Sequence, residues 1–217
     1  MPVEIKFCGM TRPVDAKEAA RLGARYVGAV FAGGPRRVDG ARADECFRVL
    51  PAGVRRVGVF GSQSPDEIAA IAELVRLDVA QLHGDPDASA VELVRERTGL
   101  HVWGVARIDG ADLPSDFTEL VEAADAVVLD ARVAGMLGGT GRTVNWAAVV
   151  ERLTALRGRT PLVLAGGLTP ENVRRAIDLL RPDVVDVSSG VETSPGIKDH
   201  GRMRAFSDAV RYAGANR

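Results

Sequence analysis

The feature that most constrains this chain is an alternation of types: short apolar runs of strand character alternate with longer segments of helical periodicity from one end to the other. The strand-like runs are Glu4 to Cys8, Tyr26 to Phe31, Arg56 to Phe60, Val79 to Leu82, Val102 to Ala106, Ala126 to Asp130, Leu162 to Ala165 and Val184 to Val187. Between and after them the periodicity predicts helices near Asp15 to Leu22, Ala41 to Leu50, Pro65 to Leu74, Ser89 to Arg97, Phe117 to Ala123, Trp146 to Leu156, Pro170 to Leu180 and His200 to Tyr212. Two helix starts are marked by a cap followed by proline, Ser64-Pro65-Asp66-Glu67 and Thr169-Pro170.

Parallel strands joined by crossover helices follow from this order. Eight such units of under thirty residues each, with no composition break or linker, fit most economically as one α/β domain over residues 1–217, a single-domain (β/α)8 TIM barrel. The alternative is an open doubly wound sheet. That fold normally carries a phosphate-binding glycine motif after its first strand, whereas the first run here ends in Cys8-Gly9-Met10-Thr11 and the glycines concentrate late.

Composition narrows the partners. The net charge of -1, with acidic and basic residues interspersed, offers no basic field for nucleic acid, so an anionic ligand must be held by local groups in a pocket. No stretch approaches the roughly 20 apolar residues of a membrane span, and a cytoplasmic protein with no nucleic-acid or membrane partner is expected. Only Cys8 and Cys46 are present, so reduced thiols are expected, with Cys46 a buried hydrophobe inside a helix.

In a barrel the C-terminal strand ends face the site, and here they are polar. Cys8 ends the first run, Gly34-Pro35-Arg36-Arg37 follows the second, His83-Gly84 the fourth and Arg107 the fifth, and Asp130 ends the sixth. Gly166-Gly167-Leu168 and Ser188-Ser189-Gly190-Val191 follow the seventh and eighth, the positions where phosphate sites of this fold commonly lie. Strands seven and eight would stand between Asp130 and Cys8, so a phosphate anchored there places its sugar within reach of an acid–base pair.

Each residue also has a plainer reading. Asp130 is equally a turn cap, Cys8 a packing residue, and Gly138-Gly139-Thr140-Gly141-Arg142-Thr143 a solvated connection rather than a cover for a ligand. His83 reads as a hydrogen-bonded supporting residue, and Arg36 and Arg37 as either solvated or carboxylate-binding. A thiol becomes a usable base where helix N-termini or an arginine lower its pKa.

Lys6-Phe7-Cys8-Gly9-Met10-Thr11, Gln81-Leu82-His83-Gly84 and Asp186-Val187-Ser188-Ser189-Gly190-Val191-Glu192 resemble the signatures of the phosphoribosylanthranilate isomerase family of tryptophan biosynthesis, and the similarity runs essentially end to end. The resemblance implies an intramolecular oxidoreductase-type isomerase that performs an Amadori rearrangement on a small phosphoribosyl substrate without cofactor or metal, as a monomer or homodimer. It implies Asp130 as general acid and Cys8 as general base. Asp186 would stand near the substrate amine, Gly139, Thr140 and Gly141 would cover the site, and an arginine after strand two would bind the anthranilate carboxylate. The family pattern there is Ser-x-Arg-x-Val/Ile; aligning Gly34-Pro35-Arg36-Arg37-Val38 on Val38 selects Arg36, whereas counting from Phe31 selects Arg37.

Three rival readings remain. The related histidine-pathway isomerases, including dual-substrate relatives, resemble one another in using an Asp where this chain has Cys8, so the thiol argues against them. A noncatalytic phosphoribosyl sensor would lack an acid or a base, and both are present. A purely structural barrel leaves the polar strand ends unexplained.

Overall fold

Eight parallel strands close on themselves in the order β1-β2-β3-β4-β5-β6-β7-β8 in the computed structural model, which describes residues 2–108, 113, 115–130, 150, 151, 153 and 158–214. The strands are β1 (Glu4–Phe7), β2 (Tyr26–Val30), β3 (Arg55–Phe60), β4 (Val79–Leu82), β5 (His101–Arg107), β6 (Ala126–Asp130), β7 (Leu162–Ala165) and β8 (Val184–Val187). Outside them lie α1 (Pro13–Arg21), α2 (Gly40–Arg48), α3 (Pro65–Val75), α4 (Ala88–Thr98), α5 (Phe117–Ala123), α6 (Val173–Leu180) and α7 (His200–Gly214). The expected barrel is the fold. Of the helix expected over 146–156, residues 150, 151 and 153 are described and are helical.

Strand parity sorts the side chains, because successive residues point to opposite faces. Ile5 and Phe7 of β1, Val127 and Leu129 of β6, and Val185 and Val187 of β8 pack outward against the helices in the larger core. Their neighbours therefore point into the barrel. Its lower interior is filled by Val57, Val79, Trp103, Val105, Ala126, Val128, Val163 and Val184, which form a separate cluster capped by an edge-on contact between Tyr26 and Trp103. The same parity places Lys6, Cys8, Gln81, Asp130 and Asp186 above that layer, toward the C-terminal mouth.

Closure sets one pairing that local sequence does not reveal. The β1–β8 register puts Lys6 beside Asp186, 180 residues apart in the chain, on the same inward face.

The helix starts follow the capping chemistry in part. Ser64 accepts from the Glu67 N–H while the Glu67 carboxylate accepts from the Ser64 N–H, the reciprocal box read from the sequence. At Thr169-Pro170 the expectation needs correction, because α6 begins at Val173 with Asn172 as its cap residue. Thr169 donates its N–H to Asn172 Oδ1 and its carbonyl accepts from the Val173 N–H, so residues 169–172 form a turn that leads into the helix. After β8 the chain makes a short 3-10 turn, Ser189–Val191, and an unforeseen antiparallel hairpin of β9 (Glu192–Ser194) and β10 (Ile197–Lys198) before α7. Among the described residues no helix is long and apolar enough to cross a membrane.

Candidate active site

A cavity of about 330 Å3 opens at the C-terminal end of the strands. Cys8, Arg36, His83, Asp130, Gly166, Gly167, Asp186, Ser188 and Ser189 all line it, so most of the candidate residues converge there. Gly190 does not line it. A Cβ at Gly190 would stand 1.8 Å from the Leu168 carbonyl oxygen, so its bare backbone lets the loop after β8 close against the loop after β7. Gly139, Thr140 and Gly141 lie outside the described residues.

Asp130 and Cys8 face each other around the rim. Three inter-strand steps of about 4.8 Å separate their backbones, an arc of about 14 Å from which both side chains reach inward. Between them lie the ends of β7 and β8. Gly166 and Gly167 there hold φ of +91° and +65°, a left-handed run that side-chain-bearing residues adopt only with strain.

The thiol sits over bare backbone: a Cβ at Gly28 of β2 would stand 3.0 Å from Cys8 Sγ. Burial pushes the Cys8 thiol above its ordinary pKa, with the Asp186 carboxylate adding to the rise and the Lys6 and Lys198 ammonium groups opposing it. This corrects the expectation that helix N-termini or an arginine would lower it. Lys6, Lys198 and Arg36 all favour the thiolate, but desolvation outweighs them. Cys46 is buried in α2 as expected, its thiol pushed up to about 11 by burial.

Lys6 is the group the strand-end reading missed. It is fully buried and donates to Asp186 Oδ2 at 2.6 Å. Burial pulls its pKa down, but the Asp186 carboxylate and the Cys8 sulfur together outweigh burial and raise it above its ordinary value. The signal was present in the sequence, since Lys6 lies two residues before Cys8 and so on the same strand face. Gln81, two residues before His83, was legible in the same way.

Three buried polar atoms among the described residues of this cavity have no hydrogen-bond partner in the protein: Gln81 Oε1, His83 Nδ1 and Asp186 Oδ1. An unsatisfied buried polar atom costs about 1–3 kcal/mol, so the convergence of three on one cavity makes it the candidate site. Burial also lowers the His83 pKa, which makes its ring a neutral hydrogen-bonding group near pH 7.

Of the two arginines after β2, Arg36 turns into the cavity and Arg37 is exposed. The stem of Arg36 crosses Gly9, where a Cβ would stand 2.7 Å from Arg36 Cδ and 2.9 Å from Ser188 Oγ. Gly9 is thus the bare point over which the arginine and the β8 loop approach the thiol strand. Arg107 points elsewhere, donating to Asp85 and to the His83 carbonyl. Glu192, the last residue of the eighth-strand signature, pairs with Arg36 from the unforeseen hairpin, and Lys198 of the same hairpin pairs with Glu192; no local pattern in the sequence signals Lys198.

Comparison with known proteins bears on the family and the fold. The family described as N-(5'phosphoribosyl)anthranilate (PRA) isomerase matches residues 5–209. An N-(5'-phosphoribosyl)anthranilate isomerase of Pseudomonas aeruginosa is 45% identical over 210 residues, covering 96% of this chain and 95% of that protein. Among solved structures, the phosphoribosyl anthranilate isomerase of Thermotoga maritima superposes with a TM-score of 0.82 at 35% identity, covering 97% of this chain and 99% of that one. A phosphoribosyl anthranilate isomerase in complex with reduced 1-(o-carboxyphenylamino)-1-deoxyribulose 5-phosphate gives a TM-score of 0.81 at 33% identity, with the same coverage.

Proposed function

The chain belongs to the N-(5'-phosphoribosyl)anthranilate isomerase family, and from that membership we propose that its cavity carries out the family's step of tryptophan biosynthesis with Cys8 as general base and Asp130 as general acid. The reaction converts N-(5'-phosphoribosyl)anthranilate to 1-(2-carboxyphenylamino)-1-deoxyribulose 5-phosphate, an aldose–ketose isomerisation. The observation that carries the assignment of roles is the convergence of Cys8, Asp130 and Arg36 with three unpartnered polar atoms in one cavity at the barrel mouth.

Asp130 gives its proton to the furanose ring oxygen as the C1'–O bond breaks, leaving an open-chain Schiff base. The Cys8 thiolate then removes the C2' proton, and the electron pair of that C–H bond moves toward the imine to form an enolamine. Loss of the 2'-hydroxyl proton and protonation at C1' give the ketone. Acid and base act from opposite sides of the sugar, in keeping with β6 and β1 flanking the two phosphate loops.

We assign the phosphate to Gly166, Gly167, Ser188 and Ser189, with Gly190 closing their loop against Leu168. Asp186 and His83 would contact the amine and sugar, and Gly139, Thr140 and Gly141 would cover them. The proposal gives the whole of residues 1–217 to one catalytic domain acting as a monomer or homodimer in the cytoplasm, with no cofactor or metal.

Purified, metal-free protein is expected to abolish the fluorescence of phosphoribosylanthranilate through turnover and to leave the histidine-pathway substrate unchanged. Turnover of both would make it a dual-substrate enzyme despite Cys8. Binding without turnover of either would return the sensor reading.

Arg36 is assigned to the anthranilate carboxylate because it, and not Arg37, lines the cavity. Arg36→Ala is expected to raise KM by about tenfold or more through loss of a charge-assisted pair, while Arg37→Ala stays near wild type. Steady-state kinetics on the two variants checks this, and the reverse pattern would transfer the role to Arg37.

A further inference from the structure

The catalytic reading leaves without a role a buried ion pair formed by Glu192 at the start of β9 and Lys198 at the end of β10, whose side chains are 4% and 0% exposed. We propose that Glu192 is a positioning residue that aims Arg36 at the aryl carboxylate of the substrate and thereby sets the enzyme's selectivity for carboxylated aryl amines. The proposal rests on the assignment of Arg36 made above.

The geometry divides the guanidinium into two edges. Arg36 Nε donates to Glu192 Oε1 at 2.9 Å, and Nη2 donates to Oε2 at 2.6 Å, so Glu192 occupies the side-on edge in a two-point grip. A guanidinium has five N–H groups in a fixed plane. Among the described residues the Arg36 side-chain hydrogen bonds run from Nε and Nη2 to Glu192, so the end-on edge, formed by Nη1 and the second hydrogen of Nη2, is the one left for a ligand carboxylate. Clamping one edge fixes the plane of the other, which is how an arginine becomes a directional carboxylate receptor.

Glu192 is itself held rigidly. Its Oε1 accepts from Lys198 Nζ at 2.7 Å and from the Gly196 N–H at 3.3 Å. Burial pushes the Glu192 carboxyl up, but the hydrogen bonds and charges of Arg36 and Lys198 together outweigh burial and keep it ionised. The cluster therefore holds two cations against one anion and remains attractive to an incoming carboxylate. Lys198 Nζ also donates to the Ser188 carbonyl oxygen at 3.2 Å, tying the arginine clamp to the loop assigned to the phosphate.

The test compares phosphoribosylanthranilate with N-(5'-phosphoribosyl)aniline, which lacks the carboxylate, in wild type, Glu192→Gln, Glu192→Asp and Arg36→Ala. The expected result is a fall of about tenfold, expressed in KM, in the kcat/KM ratio of the carboxylated over the uncarboxylated substrate for Glu192→Gln, with partial recovery in Glu192→Asp. Equal losses on both substrates would reduce Glu192 to a structural role and overturn the proposal, as would a higher ratio, which would make Glu192 a competitor for Arg36. If Glu192→Gln fails to fold, Glu192→Asp carries the decision on the same ratio. An unchanged ratio in Arg36→Ala would remove the assignment of Arg36 and this proposal together. An unchanged ratio in Glu192→Gln beside a lowered one in Arg36→Ala overturns the positioning role alone.

Discussion

Asp130→Asn and Cys8→Ala are each expected to lower kcat by about 10²- to 10⁴-fold while the enzyme still binds a product analogue, because each removes one of the proposed proton transfers and leaves the loops after β7 and β8 and Arg36 in place. The two losses should not add fully in the double variant, since acid and base serve one sequence of steps. Single-turnover fluorescence with a parallel binding titration measures both quantities, and turnover within a few-fold of wild type would strike that residue from the mechanism. The raised thiol pKa adds a pH signature. The base must be deprotonated, and a group whose pKa is raised ionises at higher pH, so log kcat/KM should climb with pH through neutrality and beyond. Cys8→Asp replaces the thiol with a stronger acid and should move that rising limb to lower pH.

The largest expected effect on stability is at the barrel closure. Lys6 donates to Asp186 Oδ2 at 2.6 Å with the two side chains 0% and 7% exposed, so replacing Asp186 by Leu strands a buried ammonium and is expected to destabilise the fold by about 3–5 kcal/mol. The double variant Lys6→Met/Asp186→Leu should regain most of that loss, because removing both charges also removes their desolvation. Urea unfolding midpoints at fixed protein concentration report the difference. A loss below about 1 kcal/mol in the single variant would show that the ammonium finds another partner or reaches water. The Cys8 thiol is the acid positioned to answer, since Lys6 already opposes the rise in its pKa. Faster alkylation of Cys8 in Asp186→Asn would register that exchange, because the substitution removes a negative neighbour that helps hold the thiol protonated.

Both predictions start from residues that the strand pattern exposes to different degrees. Cys8 and Asp130 are readable because they end apolar runs, where the barrel turns its strand ends to solvent and ligand. Lys6 and Gln81 carry the same period-two signal one step further down their strands, inside runs that look apolar, and are found only when parity is followed past the strand end. Thr169-Pro170 shows the opposite error: the cap-and-proline pattern is satisfied by a turn, and α6 starts three residues later than Pro170. Glu192 and Lys198 stand on a hairpin of three and two residues, too short for any periodicity to register.

By itself the sequence determined what local physics controls. Apolar runs of strand length alternating with helical periods demand parallel strands and outer helices, and the polar residues that end those runs mark one face as the site. Only the tertiary structure decided what depends on closure and on groups far apart in the chain. Register across β1 and β8 pairs Lys6 with Asp186, 180 residues away. The path over Gly9 turns Arg36 rather than Arg37 inward, and the fold of the hairpin brings Glu192 and Lys198 behind it. Burial raises the Cys8 thiol where sequence reasoning expected helix N-termini or an arginine to lower it. The reason is common to all of these: hydrogen-bond partners, desolvation and the choice between adjacent arginines are properties of an enclosed volume, and that volume exists only once the barrel has closed.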